Sequence, residues 1–205
     1  MKISYAICVC DEYRELDTLL NFLCKVRDQE DEIVLLIDTS KDCKQLIHVI
    51  AQYNNIRVVS RYFKNDFSEH KNYLNRQCTG DYIFNIDADE VPTEKLITYM
   101  KSRLSITKPD LVYVPRINIC LGQTQDFLNR WKFKTNDFGW INWPDYQGRV
   151  YRNDKSIYWQ STVHEKIGGS ACKNIEGCDA DPNLSLMHVK TVQKQNKQNE
   201  FYDTL

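Results

Sequence analysis

The sequence predicts an α/β fold, a mostly parallel sheet flanked by helices, followed by a mixed α+β second half. Three observations carry this. Through the first 115 residues, apolar runs too continuous for a half-exposed strand alternate with apolar stripes at helical spacing. Three of those runs end in polar clusters: Asp11-Glu12, Asp38-Thr39-Ser40 and Asp87-Ala88-Asp89-Glu90. The second half changes character, with ten aromatic residues, including all four tryptophans, between positions 127 and 159.

Each element follows from its residues. Residues 3–10 (ISYAICVC) are almost wholly apolar, as a strand covered on both faces must be. Leu16, Leu19, Leu20, Leu23 and Val26 then repeat at helical spacing. Residues 32–38 (EIVLLID) form a second buried strand that ends in a carboxylate. Cys43, Leu46, Ile47 and Ile50 make the next helical stripe, and residues 56–60 (IRVVS) a short strand. A helix over 66–78 has Asp66 or Ser68 as its cap. Gly80 turns the chain into a strand over 81–86, Thr93 opens a helix to Leu104 just after Pro92, and residues 111–115 form a further strand. In the second half, short strands are expected over 148–151, 157–159 and 163–167, and a polar helix over 190–201. With no internal repeat and no low-complexity linker, the expectation is one domain over 1–205, with a front half (1–115) and a rear half (116–205). In parallel sheets ligands bind beyond the carboxyl ends of the strands, so the three polar clusters should gather on one edge.

Composition removes several function classes. With 42% hydrophobic and 27% charged residues among 205, a core can form. Lys and Arg total 27 against 28 Asp and Glu, a formal charge of -1, which argues against a chain built to wrap nucleic acid. No apolar run approaches the ~18 residues of a membrane span, and charge arrives at Asp11 where an export signal would be apolar. A soluble, cytoplasmic protein is expected. Its eight cysteines lack both the context of a disulfide scaffold and the ligand spacing of a zinc site, so free thiols are expected; a loop disulfide between Cys172 and Cys178 is the alternative. Neither G-x-G-x-x-G nor G-x-x-x-x-G-K-[ST] is present, which argues against a dinucleotide dehydrogenase or a P-loop NTPase.

The cluster from Asp87 to Glu90 sets three carboxylates at a strand's end, where they repel one another unless a cation or hydrogen-bond donors compensate. Mg²⁺ or Mn²⁺ with phosphate oxygens completing the shell would do so, whereas a solvated acidic turn would need no ligand. An EF-hand is excluded, because Pro92 stands where its glycine must be.

The run Gly80-Asp81-Tyr82-Ile83-Phe84-Asn85-Ile86-Asp87-Ala88-Asp89-Glu90 resembles the segment that carries the D-A-D-E motif in family 2 glycosyltransferases of the GT-A fold. Asn65-Asp66-Phe67-Ser68 and Lys71-Asn72 resemble the stretch before it. Asp145-Tyr146-Gln147-Gly148-Arg149-Val150-Tyr151-Arg152, then Val163-His164-Glu165-Lys166, then His188-Val189-Lys190, follow in that group's order and spacing. Small soluble members of the group occur in bacterial envelope-glycan pathways and in bacteriophages. The resemblance implies a nucleotide-diphosphate sugar as donor, with Asp38 at the base or ribose and Ser40 beside it. Asp87 would lie near the ribose and metal, Asp89 would bind the Mn²⁺ or Mg²⁺ that joins the phosphates, and His188 would add a metal ligand. Lys71 is a further donor-site candidate. Glu165 is the leading general base and Asp145 the reserve. Arg149, Arg152 and Lys190 are expected to supply positive charge against the leaving diphosphate.

The expected activity is metal-dependent, inverting transfer of a sugar to a hydroxyl acceptor, an envelope glycan or a modified base of phage DNA. The near-neutral charge disfavours DNA. A non-catalytic nucleotide-sugar or glycan-binding module, and a nucleotidyltransferase using the same carboxylates, are the alternatives. Oligomeric state is left open.

Overall fold

Alternation along the first strand sets up the two sides of the molecule. In β1 (Ile3–Val9), Ile3, Tyr5, Ile7 and Val9 enter one apolar core while Ala6 enters the other. The structure, a computed structural model, describes residues 1–202.

Helices α1 (Tyr13–Val26), α2 (Lys44–Ile50) and α4 (Glu94–Thr107) cover the first core, and α3 (Phe67–Asn75) covers the second. β1 is followed by α1, and the next two strands by α2 and α3, crossovers long enough for the parallel pairing that joins these strands and the one after them. The strands β3 (Ile56–Arg61), β2 (Glu32–Asp38), β1 and β4 (Tyr82–Asp87) lie side by side in that order, all parallel. Gly80 sits where a side chain is impossible: a Cβ there would come 2.7 Å from the Ser4 nitrogen and 2.9 Å from the Lys2 carbonyl. The chain thereby crosses close under β1 before β4 begins.

Beyond β4 the sheet turns antiparallel. β7 (Ile141–Arg152) inserts between β4 and β6 (Leu111–Leu121), β11 (Leu186–Thr191) runs parallel to β6, and β5 (Glu90–Pro92) pairs antiparallel with β11. With β10 (Ile175–Gly177) on the first residues of β6, this sheet has nine strands among the described residues. A separate hairpin, β8 (Tyr158–Gln160) with β9 (Lys166–Gly168), packs on α3, and α6 (Val192–Tyr202) follows β11.

Several elements depart from the sequence reading. β6 runs on past Pro115 to Leu121, because the ladder on one side is already broken there: β10 pairs with residues 111–113 and β11 with 116–121. β7 begins at Ile141 instead of Gly148, since its first half is only partly covered and lacks an apolar run. β11 and α5 (Gln125–Trp131) were not expected as such; α5 buries only Phe127 and is marked mainly by its cap, Thr124, which accepts from the Phe127 nitrogen at 3.2 Å. In α2 the buried residues are Leu46 and Val49, while Ile47 is 59% exposed. Asp66 and Thr93 cap α3 and α4 as expected, accepting from Glu69 and Leu96. All eight cysteines are free, Cys172 and Cys178 included. Among the described residues, no helix is long and apolar enough to cross a membrane.

Burial separates two leucine-sized residues of similar spacing. Leu20→Ala, on the fully covered face of α1, should lose about 2–5 kcal/mol in urea unfolding. Ile47→Ala should stay within about 0.5 kcal/mol of the parent. Equal losses would contradict this packing of α1 and α2.

Candidate active site at the carboxyl edge of the sheet

The parallel register brings the three polar clusters together. Cys8 of β1 lies opposite Asp87 of β4, Val9 lies opposite Ile37 of β2, and Lys41 reaches Asp11 at 2.7 Å. This is the edge at which a parallel sheet presents its ligand site.

Asp38 closes the turn after β2. Its Oδ1 accepts from the Ser40 nitrogen at 2.8 Å and the Phe63 nitrogen at 3.0 Å, and its Oδ2 accepts from the Ser40 hydroxyl at 2.7 Å. Burial pushes the Asp38 pKa up, but these hydrogen bonds outweigh it and hold the carboxyl below its ordinary value. Asp38 and Ser40 thus act as one unit that also fixes the loop after β3.

Beneath the edge lies a buried ionic cluster. Asp87 pairs with Arg149 and, at 3.3 Å, with Lys71. Arg149 also donates to Glu90 Oε1 at 2.6 Å, and Arg116 reaches the same oxygen at 2.9 Å. The other Glu90 oxygen accepts from the Asp87 nitrogen at 3.1 Å, and the Glu90 residue is 0% exposed. Arg116 continues to Asp145 at 2.6 Å. Burial alone would raise the Asp87 pKa, yet the Arg149 and Lys71 charges hold it well below the carboxylate range. Asp145 is held low in the same way: burial opposes ionisation, and Arg116, Asn118 and Gln147 more than compensate. Arg149 therefore sits behind Asp87 with its guanidinium buried.

Asp89 points to the other side. Its Oδ2 lies 3.4 Å from His188 Nε2 and 3.2 Å from Lys194 Nζ. The amide of Asn118 fixes the tautomer of His188. Its Nδ2 donates to Asp145 at 2.8 Å and to the Ile141 carbonyl at 3.4 Å, so its Oδ1, 2.7 Å from His188 Nδ1, must accept a proton from that ring nitrogen. Burial pushes the His188 pKa down, favouring the neutral ring. A neutral ring protonated at Nδ1 turns the Nε2 lone pair toward an ionised carboxylate, an arrangement that a shared cation relieves. The residues fit Mn²⁺ or Mg²⁺ in this sense, as two protein donors, Asp89 and His188, with the Asn118 amide orienting the imidazole. Among the described residues no group of three His, Cys, Asp or Glu side chains could hold a metal ion, and Asp87, expected as a third ligand, is turned toward Arg149 and Lys71.

Glu165 is carried on the loop between β8 and β9 and meets Lys71 Nζ at 2.7 Å, so the second half delivers a carboxylate to the same edge. Lys190 is buried and its ammonium donates to Gln198. Arg152 is elsewhere: it pairs with Asp110 at 2.8 Å and lies opposite Tyr82, at the amino end of β4, which corrects its expected place near the diphosphate. Sequence reasoning passed over Arg116, Asn118 and Lys194. Arg116 and Asn118 left a signal, two polar residues two apart in the strand LVYVPRINICL, hence on one face. Lys194 left none within its mostly polar helix.

The sequence model of "Glycosyl transferase family 2" matches residues 4–171. No curated protein matches the chain in sequence. Among solved structures, S. aureus TarS 1-349 in complex with UDP-GlcNAc superposes with a TM-score of 0.63 at 17% identity, covering 93% of this chain and 59% of that one. The same fragment in complex with UDP gives 0.63 at 16% identity, covering 92% and 60%. The S. aureus TarS structure gives 0.62 at 17% identity, covering 97% and 38%. The likeness is one of fold, GT-A, and the chain spans about three fifths of the TarS fragment's length.

Glu90→Gln leaves two buried guanidinium groups short of a counter-charge and should cost about 3–5 kcal/mol in urea unfolding at pH 7. Acidification probes the carboxylates held low. Since Asp38 and Asp145 titrate below their unfolded value near 4, the unfolded chain takes up protons first. Their contribution is complete above about pH 5 and is lost as pH falls through the folded pKa values. The urea midpoint should accordingly drop from about pH 4 downward; a midpoint that rises there would contradict the assignment.

Proposed function

The chain belongs to glycosyl transferase family 2, and from that premise we propose that it moves a sugar from a UDP-linked donor to a hydroxyl acceptor by metal-dependent, inverting displacement. The observation that carries the reading is the meeting, at one sheet edge, of the Asp89–His188 pair with the Glu165 carboxylate. The complexes of S. aureus TarS with UDP and UDP-GlcNAc support uracil as the donor base.

The proposed reaction is a single displacement. The acceptor oxygen attacks the anomeric carbon, the bond from that carbon to the diphosphate oxygen breaks, and the diphosphate leaves with the electron pair. Glu165 takes the acceptor's proton as the new bond forms. Asp145 is the less apt base, because both of its oxygens already accept from Arg116, Asn118 and Gln147. Mn²⁺ or Mg²⁺, held by Asp89 and His188, would supply positive charge against the leaving diphosphate. Lys194 adds an ammonium on the same side, and Asp38 with Ser40 presents a rigid polar turn to the nucleoside. In this reading residues 1–115 form the nucleotide-sugar-binding half, and 116–205, the acceptor-side half, also lend His188 and Lys194 to the diphosphate. An acidic edge on a chain of charge -1 favours a glycan or other neutral hydroxyl acceptor over DNA. Cysteines with no pairing pattern favour work in a reducing compartment such as the cytoplasm.

Thermal unfolding with UDP or UDP-GlcNAc, with and without Mn²⁺, tests the donor site. Nucleotide at about 100 times its dissociation constant should add about 2.7 kcal/mol, and Asp89→Asn should remove the metal-dependent part. Glu165→Gln should slow UDP release by about 10²–10⁴-fold while the donor-induced shift persists. Release of pyrophosphate instead of UDP would replace this reading with nucleotidyl transfer.

A further inference from the structure

The carboxylate proposed as the base stands on an element outside the main sheet. The β8–β9 hairpin shares no strand pairing with the nine-stranded sheet, and its loop, residues 161–165, has left-handed backbone at Ser161 (φ 75°) and His164 (φ 54°). A five-residue loop of this kind does not by itself aim its last side chain.

Helix α3 supplies what the loop lacks. At its start, the Phe67 nitrogen donates to the Thr162 carbonyl at 3.1 Å. One turn on, Asn72 Nδ2 donates to the Trp159 carbonyl at 2.9 Å and Asn72 Oδ1 accepts from the Trp159 nitrogen at 2.9 Å, so the side chain substitutes for a neighbouring strand. Between these two anchors stands Lys71. It is 6% exposed, its Nζ lies 4.5 Å from the centre of the Trp159 ring, and it contacts Glu165 at 2.7 Å and Asp87 at 3.3 Å. Asp87 has Arg149 as a second cation, and Glu165 pairs with Lys71. Lys71 is enclosed by protein, which leaves its charge to be shared by these two carboxylates.

We propose that Lys71 is a positioning residue that acts through Glu165: it holds the hairpin carboxylate at the cleft and ties it to Asp87 at the end of β4. This rests on the reading of Glu165 as the base, and it replaces the sequence expectation that Lys71 touches the donor. A desolvated ion pair over an indole face gives the loop a single geometry, which water alone would not. The coupling also runs from the donor side, because any movement of Asp87 is felt at the atom that holds Glu165.

Two measurements on the full chain test it. Hydrogen exchange reads the loop without any substrate. Lys71→Met should speed exchange of the amides in residues 161–167 by about tenfold, Lys71→Arg should stay near the parent, and amides of α1 and β2 should be unmoved. Glu165→Gln, a near-isosteric change at the less covered end of the pair, should loosen the same loop and guards against a Lys71→Met chain that does not fold. Unchanged loop exchange in Glu165→Gln, or a rise spread evenly over the whole chain in Lys71→Met, overturns the proposal. The second measurement is UDP release from UDP-GlcNAc with Mn²⁺. Lys71→Met should lower kcat by about 10- to 100-fold with donor KM within about threefold, Lys71→Arg should restore most of it, and in the Glu165→Gln background Lys71→Met should add no further loss. A raised KM with unchanged kcat, or losses that multiply in the double variant, would make Lys71 a donor contact and overturn the proposal. A parent chain that releases no UDP would count against UDP-GlcNAc as donor, and the exchange result would then decide the role of Lys71 alone.

Discussion

The buried contact between Arg149 and the two carboxylates Asp87 and Glu90 is the constraint on which the site depends. Asp87 ends a parallel strand, Glu90 begins the short strand on the far side of the turn, and Arg149 comes from the antiparallel strand inserted beside them. The two strand ends that flank one turn are thus joined, at one guanidinium, to a strand 59 and 62 residues further along the chain. A charge so deeply covered is tolerated only when its partners are fixed, so the turn carrying Asp89 has one conformation available to it.

From that centre the order spreads in two directions. Toward β6, the chain of contacts runs through Glu90, Arg116, Asp145 and Asn118 to His188, and its last step decides which nitrogen of the imidazole is free. Toward α3, it runs through Asp87 and Lys71 to Glu165. The two candidate chemical groups, a cation site and a base, are therefore oriented by one continuous network instead of separate local motifs. Preorganisation of this kind keeps donors, acceptors and charges in place before substrate arrives, which is where electrostatic stabilisation of a transition state is most effective.

The same network explains which site residues could be read from the sequence. Asp38, Asp87 and Asp89 stand at the ends of apolar runs, and strand ends of a parallel sheet converge, so their meeting follows from pattern alone. Glu165 and His188 sit in the second half, where strands are short and partly exposed, and only the family resemblance pointed to them. Arg149 reads as a cation in either setting, yet its burial behind Asp87 depends on β7 inserting between β4 and β6. Lys71 is a donor-site candidate only through the family resemblance, and its ion-pair partners come from positions 87 and 165.

By itself the sequence determined the α/β front half, the start of α4 at Thr93, a choice of two caps for α3, and the edge at which the acidic clusters assemble, because periodicity, capping and parallel pairing are local or nearest-neighbour effects. Tertiary structure alone decided which carboxylates are tied to arginines and which face a histidine, since that depends on strand order and on charged groups 26 or more residues apart being brought into one largely covered space. Where burial removes water, a charged side chain must take whichever partner the fold sets beside it, and no spacing rule along the chain encodes that choice.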